Sequence, residues 1–164
     1  MNIKIIDCTI RDGGHINKWQ FEDNLVKASY FAAQKGHIDY FEIGYKNDKS
    51  KDGLGHYGYC EEHYIASLFK HPKDSKLLFM LDAGKYTGYD IPQCRDKCTP
   101  FSGVRIAAYP HEAKIAIELA EKTHKKGYEV FINLMASAEW SDEHLSVLKK
   151  WKRKEILEAV YFAD

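Results

Sequence analysis

Short apolar runs alternate with amphipathic stretches along the whole chain. Runs of strand length occupy residues 3–10, 38–45, 76–82, 103–109, 128–136 and 159–164. Between them apolar side chains recur at helical spacing, as over residues 21–35, where Gly36 supplies the stop. Strands that are apolar throughout and alternate with helices are typical of a parallel sheet covered by helices. The pattern therefore predicts an α/β fold.

The segments between the strands carry start and stop signals. Further helices are predicted at residues 61–70, after Pro110 and after Ser141, which serves as an N-cap. Residues 11–15 are predicted to form a turn, because two glycines follow a strand there. The polar, glycine-rich residues 46–59 are predicted to form a long mobile loop that either closes over a site or is plain surface.

Two architectures fit this alternation. One is a doubly wound open sheet, which a chain of this size can complete, and the other is a (β/α) barrel, which usually needs about 250 residues for eight units. Polar side chains favour the barrel, because they lie in or just beyond six successive strands: Arg11 and Asp12, Glu42, Asp82, Arg105 and Tyr109, Asn133, and Asp164. We therefore predict one TIM-barrel-type domain over residues 1–164, incomplete at about six of eight βα units and ending before the seventh strand.

The stretch DCTIRDGGH, residues 7–15, concentrates chemically capable side chains after the first strand. Arg11 and Asp12 place a cation and an anion beside a permissive backbone, where a metal or an anionic substrate can bind. Composition alone favours a simpler interpretation, a charged turn in which these two residues pair. Glu42 poses a similar question, because a carboxylate within an apolar strand needs a partner. An ion pair and a functional role are equally open for it.

Composition limits the kinds of binding partner and the cellular location that can be expected. Lys and Arg total 24 and Asp and Glu total 24, so no global field points to nucleic acid or an anionic membrane, and a small molecule is expected. No apolar run is long enough to span a membrane and no signal-peptide core precedes the first strand, so a cytoplasmic location is expected. Four scattered cysteines suit a reducing compartment, and Cys94 and Cys98 lack the second pair that a zinc site needs.

Several motifs now combine into a resemblance. DCTIRDGG resembles the D-x-T-L-R-D-G signature of the metal-dependent pyruvate aldolases and lyases, which include 4-hydroxy-2-oxovalerate aldolase, 3-hydroxy-3-methylglutaryl-CoA lyase and isopropylmalate synthase. The match continues in chain order through FEIGY, GVRIAAY, INLM and YFAD, which resemble the second, fourth, fifth and sixth strands of that family. His15, three residues after Asp12, points to the 4-hydroxy-2-oxovalerate aldolase branch.

The resemblance implies a lyase that cleaves or forms a carbon–carbon bond next to the pyruvyl unit of a 2-oxo acid. It assigns Asp12 as a ligand of Mn²⁺ or Mg²⁺, Arg11 as the group that stabilises the enolate oxygen, and His15 as the base. Glu42 is assigned to the catalytic set, where it would orient a metal-bound water. The residues expected to line the substrate pocket are Arg105, Tyr109 and Asn133.

One departure from the family pattern is informative. Members of the family take two further metal ligands from a His-x-His segment on the seventh strand, and the eight histidines of this sequence are all isolated. One carboxylate is a poor site for a hydrated divalent cation, so weak metal binding is expected. The first and sixth strands are predicted to be open edges. Two hypotheses follow: an aldolase active once its barrel is complete, or a non-catalytic assembly subunit whose edges are covered by a second copy or another chain.

Overall fold

The computed structural model describes residues 3–47, 53–69, 75–86, 91–94 and 99–164. Its strands are β1 (Ile6–Asp7), β2 (Tyr40–Tyr45), β3 (Lys76–Asp82), β4 (Phe101–Ala108), β5 (Glu129–Leu134) and β6 (Leu157–Phe162). Each described strand pairs in parallel with the next, in the order β1-β2-β3-β4-β5-β6. A doubly wound sheet would reverse its strand order at a switch point, so the sequential order identifies the barrel type. The predicted fold class, an incomplete TIM-barrel-like α/β fold, is confirmed.

Six described α-helices accompany this sheet. They are α1 (Thr9–Asn17), α2 (Asp23–Lys35), α3 (His56–Tyr59), α4 (Glu62–Leu68), α5 (Ala113–Lys125) and α6 (Asp142–Lys150). The predicted starts near Pro110 and Ser141 hold: a 3₁₀ turn over Pro110–Glu112 leads into α5, and Ser141 Oγ accepts the backbone N–H of His144 in α6. Among the described residues, no helix combines the length and the apolar character that crossing a bilayer requires.

Side-chain alternation along the strands produces two apolar layers. The larger one lies between sheet and helices and contains the outward residues of neighbouring strands, such as Phe79, Val104 and Ile132. The smaller one lies inside the curl of the sheet, where Tyr40, Leu78 and Phe131 pack together. Inward-facing side chains fill a barrel in layers, and the polar residues described below continue this inner face toward the carboxyl ends of the strands.

The first strand is shorter than predicted, because residues 9–17 form helix α1 instead of a strand end and a turn. The prediction of a turn over residues 11–15 is therefore wrong. It relied on Gly13 and Gly14 as breakers, but Gly14 has a packing role: a Cβ there would lie 2.0 Å from the Trp19 indole. The indole rests directly on this turn of α1 and donates a hydrogen bond to Arg11 O at 3.1 Å. Glycine is needed in α1 for that close contact.

Part of the predicted mobile loop is ordered secondary structure. Residues 48–52 lie outside the described chain, but His56–Tyr59 form α3, and Tyr57 is almost fully buried. A Cβ on Gly44 of β2 would lie 1.9 Å from Tyr57 O, so the strand and this short helix touch backbone to backbone. The prediction of a mobile loop is wrong for this part of the segment. Cys98, which was considered with Cys94 as the start of a zinc site, also lies outside the described residues.

The two ends of the described sheet are open. β1 pairs with β2 and β6 with β5, and no described strand joins β1 to β6. Large apolar side chains are exposed along both edges, with Ile5 on the β1 side and Val160 and Phe162 on β6. Lys4 approaches Glu158 across the gap at 3.4 Å. The described strands thus form a curled half-barrel whose interior remains accessible from one side.

Candidate active site

Helix α1 presents the residues of the signature. Asp7 at the end of β1 accepts the backbone N–H of Thr9 at 2.8 Å, which fixes where the chain turns into the helix. Residues four apart in a helix lie on one face, so Arg11 and His15 project to the same side. Asp12 is more exposed and pairs with Arg11, Nη1 to Oδ1, at 2.5 Å. The simpler interpretation is therefore correct in one respect: Arg11 and Asp12 do pair.

Arg11 has a second and more buried partner. Its Nε donates to Glu42 Oε1 at 2.6 Å, while Arg105 binds the same carboxylate through Nε and Nη2, at 2.8 and 2.7 Å. Glu42 is fully buried at 0% exposure, so both of its oxygens are used by guanidinium groups. The sequence left an ion pair and a functional role open for Glu42, and the structure provides the ion pair with two arginines. This Arg11–Glu42–Arg105 cluster joins the helix after β1 to β2 and β4.

The buried part of the cluster holds two cations and one anion, and the exposed Asp12 supplies a second anion at Arg11. Burial opposes the charged form of Arg11, yet the adjacent Glu42 carboxylate outweighs it and raises the pKa of the guanidinium. The same balance of burial against the Glu42 charge raises the pKa of Arg105. Two cations therefore share one buried anion, and Arg105 also lies 5.5 Å from the centre of the Tyr161 ring. A small carboxylate that enters the lumen would meet guanidinium N–H groups, which bind carboxylates through charge-assisted hydrogen bonds.

Cys8 lies against this cluster and was not singled out by the sequence. Arg105 Nη2 approaches its Sγ at 3.3 Å. Burial, reinforced by the nearby Glu42 charge, raises the pKa of the Cys8 thiol to about 11, although Arg105 and Arg11 act in the opposite direction. The thiol is therefore protonated at neutral pH and fills space beside Arg105 instead of acting as a nucleophile.

We expect iodoacetamide to alkylate Cys8 slowly in the folded chain. At pH 8 the rate should be roughly 100-fold below that of Cys8 in the urea-unfolded chain, because the thiolate fraction falls with the raised pKa. The same shift stabilises the fold below the unfolded thiol pKa, and this contribution is lost as pH rises toward about 11. Peptide mass spectrometry over a time course measures the rate, and equal rates in both states would contradict the burial argument.

His15 stands in an aromatic environment at the rim of the site. Its ring packs edge-on against Trp19 and Tyr45, at centroid distances of 4.8 and 5.8 Å. The Tyr45 hydroxyl donates to Asp82 Oδ1 at 2.5 Å, and Asp82 Oδ2 accepts from Lys85 at 2.5 Å. Burial, followed by the negative charge of Asp82, raises the pKa of Tyr45 well above its ordinary value. The hydroxyl therefore keeps its proton and acts as a donor.

A bulge in β2 brings Tyr45 to this position. The pairing with β3 shifts between Glu42 and Gly44, so that Glu42 is opposite Leu78 and Tyr45 is opposite Met80. Residues three apart in a regular strand point to opposite faces, but the extra residue returns Tyr45 to the face of Glu42. Sequence reasoning missed Tyr45, although an isolated glycine inside a strand, here Gly44, is a recognised signal for a bulge.

The remaining predicted pocket residues lie at the carboxyl end of the sheet. Asn133 on β5 is buried, and its Nδ2 approaches Met135 Sδ at 2.9 Å. Tyr109 follows β4, is 41% exposed and stacks on His111. Neither has a described hydrogen bond to the Arg11–Glu42–Arg105 cluster. The structure thus brings Arg11, Glu42 and Arg105 into contact. Asn133 lies on the same inner face, two residues beyond the residue opposite Arg105, and Tyr109 lies beyond the end of β4.

The metal assignment depends on Asp12. Among the described residues, no three His, Cys, Asp or Glu side chains lie close enough together to hold an ion. Glu42 cannot serve, because two arginines occupy its oxygens. Asp12 keeps an exposed carboxylate, which suits a hard cation, but the described part of the chain supplies this one ligand where a stable site needs several. The donor set by itself therefore does not fit a tightly bound divalent ion.

Sequential parallel strands with a polar cluster at their carboxyl ends define the class of (β/α)-barrel enzymes and their relatives. A solved structure makes this class more specific: the N-terminal domain of a proposed aldolase from Bacteroides vulgatus matches with a TM-score of 0.75 and 28% identity. The match covers 98% of this chain and 54% of that one. No family profile matches the chain.

Curated relatives point to one branch of aldolases. The chain is 26% identical over 170 residues to a 4-hydroxy-2-oxovalerate aldolase of Mycolicibacterium paratuberculosis. The alignment covers 99% of this chain and 46% of that protein. A 4-hydroxy-2-oxohexanoate aldolase of Mycobacterium tuberculosis is 26% identical, covering 99% of this chain and 47% of that protein. The resemblance to the pyruvate aldolase and lyase family is thereby confirmed at family level. The chain spans about half the length of these curated relatives.

Proposed function

We propose that the chain contributes the substrate-binding half of a metal-dependent pyruvate aldolase that acts on a 4-hydroxy-2-oxo acid. The observation that carries the proposal is the Arg11–Glu42–Arg105 cluster, where a buried carboxylate holds two guanidinium groups in fixed positions. Fixed guanidinium N–H donors suit the carboxylate and the developing enolate of a 2-oxo acid. The described chain provides this half of the chemistry, and the relatives are about twice as long.

The proposed cleavage starts at the hydroxyl group on C4. His15 accepts the hydroxyl proton, the C3–C4 bond breaks, and the bonding electrons move onto the C2 oxygen as an enolate, releasing an aldehyde. Arg11 stabilises the enolate oxygen, because its Nε and Nη1 are held by Glu42 and Asp12 while its remaining N–H groups are available to a substrate. A proton returned to C3 of the enolate gives pyruvate. Arg105 completes the binding site for the carboxylate.

Pyruvate release tests the proposal directly. The longest chain that the coding region encodes is incubated with 4-hydroxy-2-oxovalerate and Mn²⁺, and pyruvate is followed by coupled reduction with lactate dehydrogenase. We expect turnover that depends on Mn²⁺ and on His15, with a loss of 10²-fold or more, on the order of that typical for removing a catalytic base, in the His15→Ala variant. Turnover that is unchanged without His15 would contradict the mechanism.

Weak metal binding is a separate prediction for the 164-residue chain. Titration calorimetry with Mn²⁺ should give a dissociation constant on the order of millimolar, because Asp12 is the single carboxylate ligand in the described residues. Asp142→Ala is a matched control, since Asp142 also lies in the first turn of a helix, α6. Micromolar affinity that disappears in Asp12→Ala but not in Asp142→Ala would overturn the weak-binding claim and would confirm Asp12 as a ligand.

The exposed edges favour a second candidate function, that of an assembly subunit. β6 alternates between half-buried and exposed residues along its length, and Val160 and Phe162 are exposed apolar side chains. An open parallel edge with exposed apolar residues favours association with further strands. Sedimentation velocity across a range of concentrations should show self-association, which Phe162→Lys weakens. A monomer at every concentration would count against self-association as the role of this edge.

A further inference from the structure

The rim of the site beside His15 is polar on one side. Tyr45, Asp82 and Lys85 form a connected row there, which we call the polar wall. Tyr45 is opposite Met80 in the sheet register, and Asp82 is two residues further along β3, so both point to the inner face. Ala107, opposite Asp82 on β4, contributes only a methyl group beside the carboxylate.

The polar wall has hydrogen-bonding capacity beyond its internal bonds. Each Asp82 oxygen accepts one described hydrogen bond, from Tyr45 or from Lys85, and a carboxylate has about four acceptor sites. A lysine ammonium has three N–H donors, and the described pairing with Asp82 uses one of them. The wall therefore offers both acceptors and donors to a ligand, which is the combination that hydroxyl groups require.

Charge distinguishes hydroxyl groups from anionic groups as the ligand. Asp82 and Lys85 neutralise each other, and Glu112 adds negative charge nearby, because its Oε1 lies where a Cβ on Gly84, the residue before Lys85, would be. The carboxylates of Asp82 and Glu112 would repel a phosphate or carboxylate ligand, whereas they would not repel neutral hydroxyl groups. The guanidinium groups that can bind an anionic group are those of Arg11 and Arg105.

We propose that the polar wall selects a hydroxylated aldehyde as the fragment that the aldolase releases or adds. The inference rests on the proposed function, because His15 as the base fixes C4 and its substituent next to Tyr45. The pyruvyl end lies at the arginines, and the chain beyond C4 extends along the polar wall. Its hydroxyl groups donate to Asp82 and accept from Lys85. The compounds for which the two relatives are named, 4-hydroxy-2-oxovalerate and 4-hydroxy-2-oxohexanoate, have no such additional hydroxyl groups.

The test compares two three-carbon aldehydes in the addition reaction with pyruvate and Mn²⁺. Glyceraldehyde should have a kcat/KM at least about tenfold above that of propanal, the same chain without hydroxyl groups, as expected for one or two hydrogen bonds. Tyr45→Phe keeps the ring against His15 and removes the hydroxyl that orients Asp82, so the ratio should fall about threefold or more. Asp82→Leu should bring the ratio to one or below. Equal ratios in wild type and both variants would overturn the proposal.

A binding measurement separates this inference from the proposed function. Glycerol or 1-propanol is titrated into the protein, and the ring signals of His15 are followed by NMR. This measurement requires no turnover. Saturable glycerol shifts that weaken in Asp82→Leu, with no 1-propanol shifts, would support the polar wall even if neither aldehyde reacts and the proposed function fails. The absence of any glycerol preference, or a tenfold kcat/KM preference for glyceraldehyde 3-phosphate over glyceraldehyde, would contradict the proposed ligand class.

Discussion

Replacing Glu42 with glutamine is expected to lower the free energy of unfolding by about 3–5 kcal/mol, the typical cost of breaking a buried ion pair on one side. Glutamine keeps the shape of the side chain but removes the buried counter-charge that Arg11 and Arg105 share, and leaves only the exposed Asp12 as a partner of Arg11. An amide NH2 group replaces one carboxylate oxygen, so its N–H donors face the N–H donors of a guanidinium group. Urea unfolding of wild type and variant, followed by circular dichroism, measures the difference.

Glu158→Gln is the matched control for this prediction. The same substitution there removes the partner of Lys4 in a pair whose two side chains are 49% and 39% exposed, so the loss should stay below about 1 kcal/mol. A second check is the double variant Glu42→Gln with Arg105→Gln, which should be less destabilised than the sum of the single variants, because the pair is coupled. If Glu42→Gln is as stable as Glu158→Gln, the prediction is wrong, and water replaces the interactions that Arg11 and Arg105 lose.

The course of the chain was predictable where periodicity and composition agree. β3 was predicted at its observed bounds, Lys76–Asp82, because a continuous apolar run there ends at a charged residue. The barrel type was predicted from polar residues at successive strand ends, and the sequential strand order confirms it. These signals are local, or add up along the chain, and they do not require knowledge of which side chains meet.

Features that depend on which side chains meet, or on strand register, were not predicted. Gly14 was predicted to be part of a turn, but the Trp19 indole lies where its Cβ would be. The need of Glu42 for a cation was foreseen, but the two arginines that satisfy it, Arg11 and Arg105, are 31 and 63 residues away in sequence. Tyr45 would point away from the site in a regular strand, and the bulge before it reverses its direction.

Replacing Arg11 with lysine is expected to lower the rate of pyruvate release by about 10²–10³-fold, the range found when one fixed donor to an oxyanion is removed. Lysine keeps the charge but presents it at one point, so it cannot bind Glu42 and Asp12 and also take the role toward the enolate that we propose for Arg11. Arg153→Lys is the matched control, because Arg153 precedes a 3₁₀ turn near β6 and has no described contact with the cluster.

Oxalate binding provides the same test without turnover. Oxalate is a planar dianion that resembles the pyruvate enolate, so in the presence of Mn²⁺ its affinity reports the stabilisation that the enolate receives. If Arg11 acts on the enolate, Arg11→Lys weakens oxalate binding in step with the loss of rate. If Arg11 only supports the fold through Glu42, the variant loses stability in urea while the folded fraction keeps its affinity for oxalate. The cluster links these effects through one carboxylate, so both measurements are needed to separate catalysis from stability.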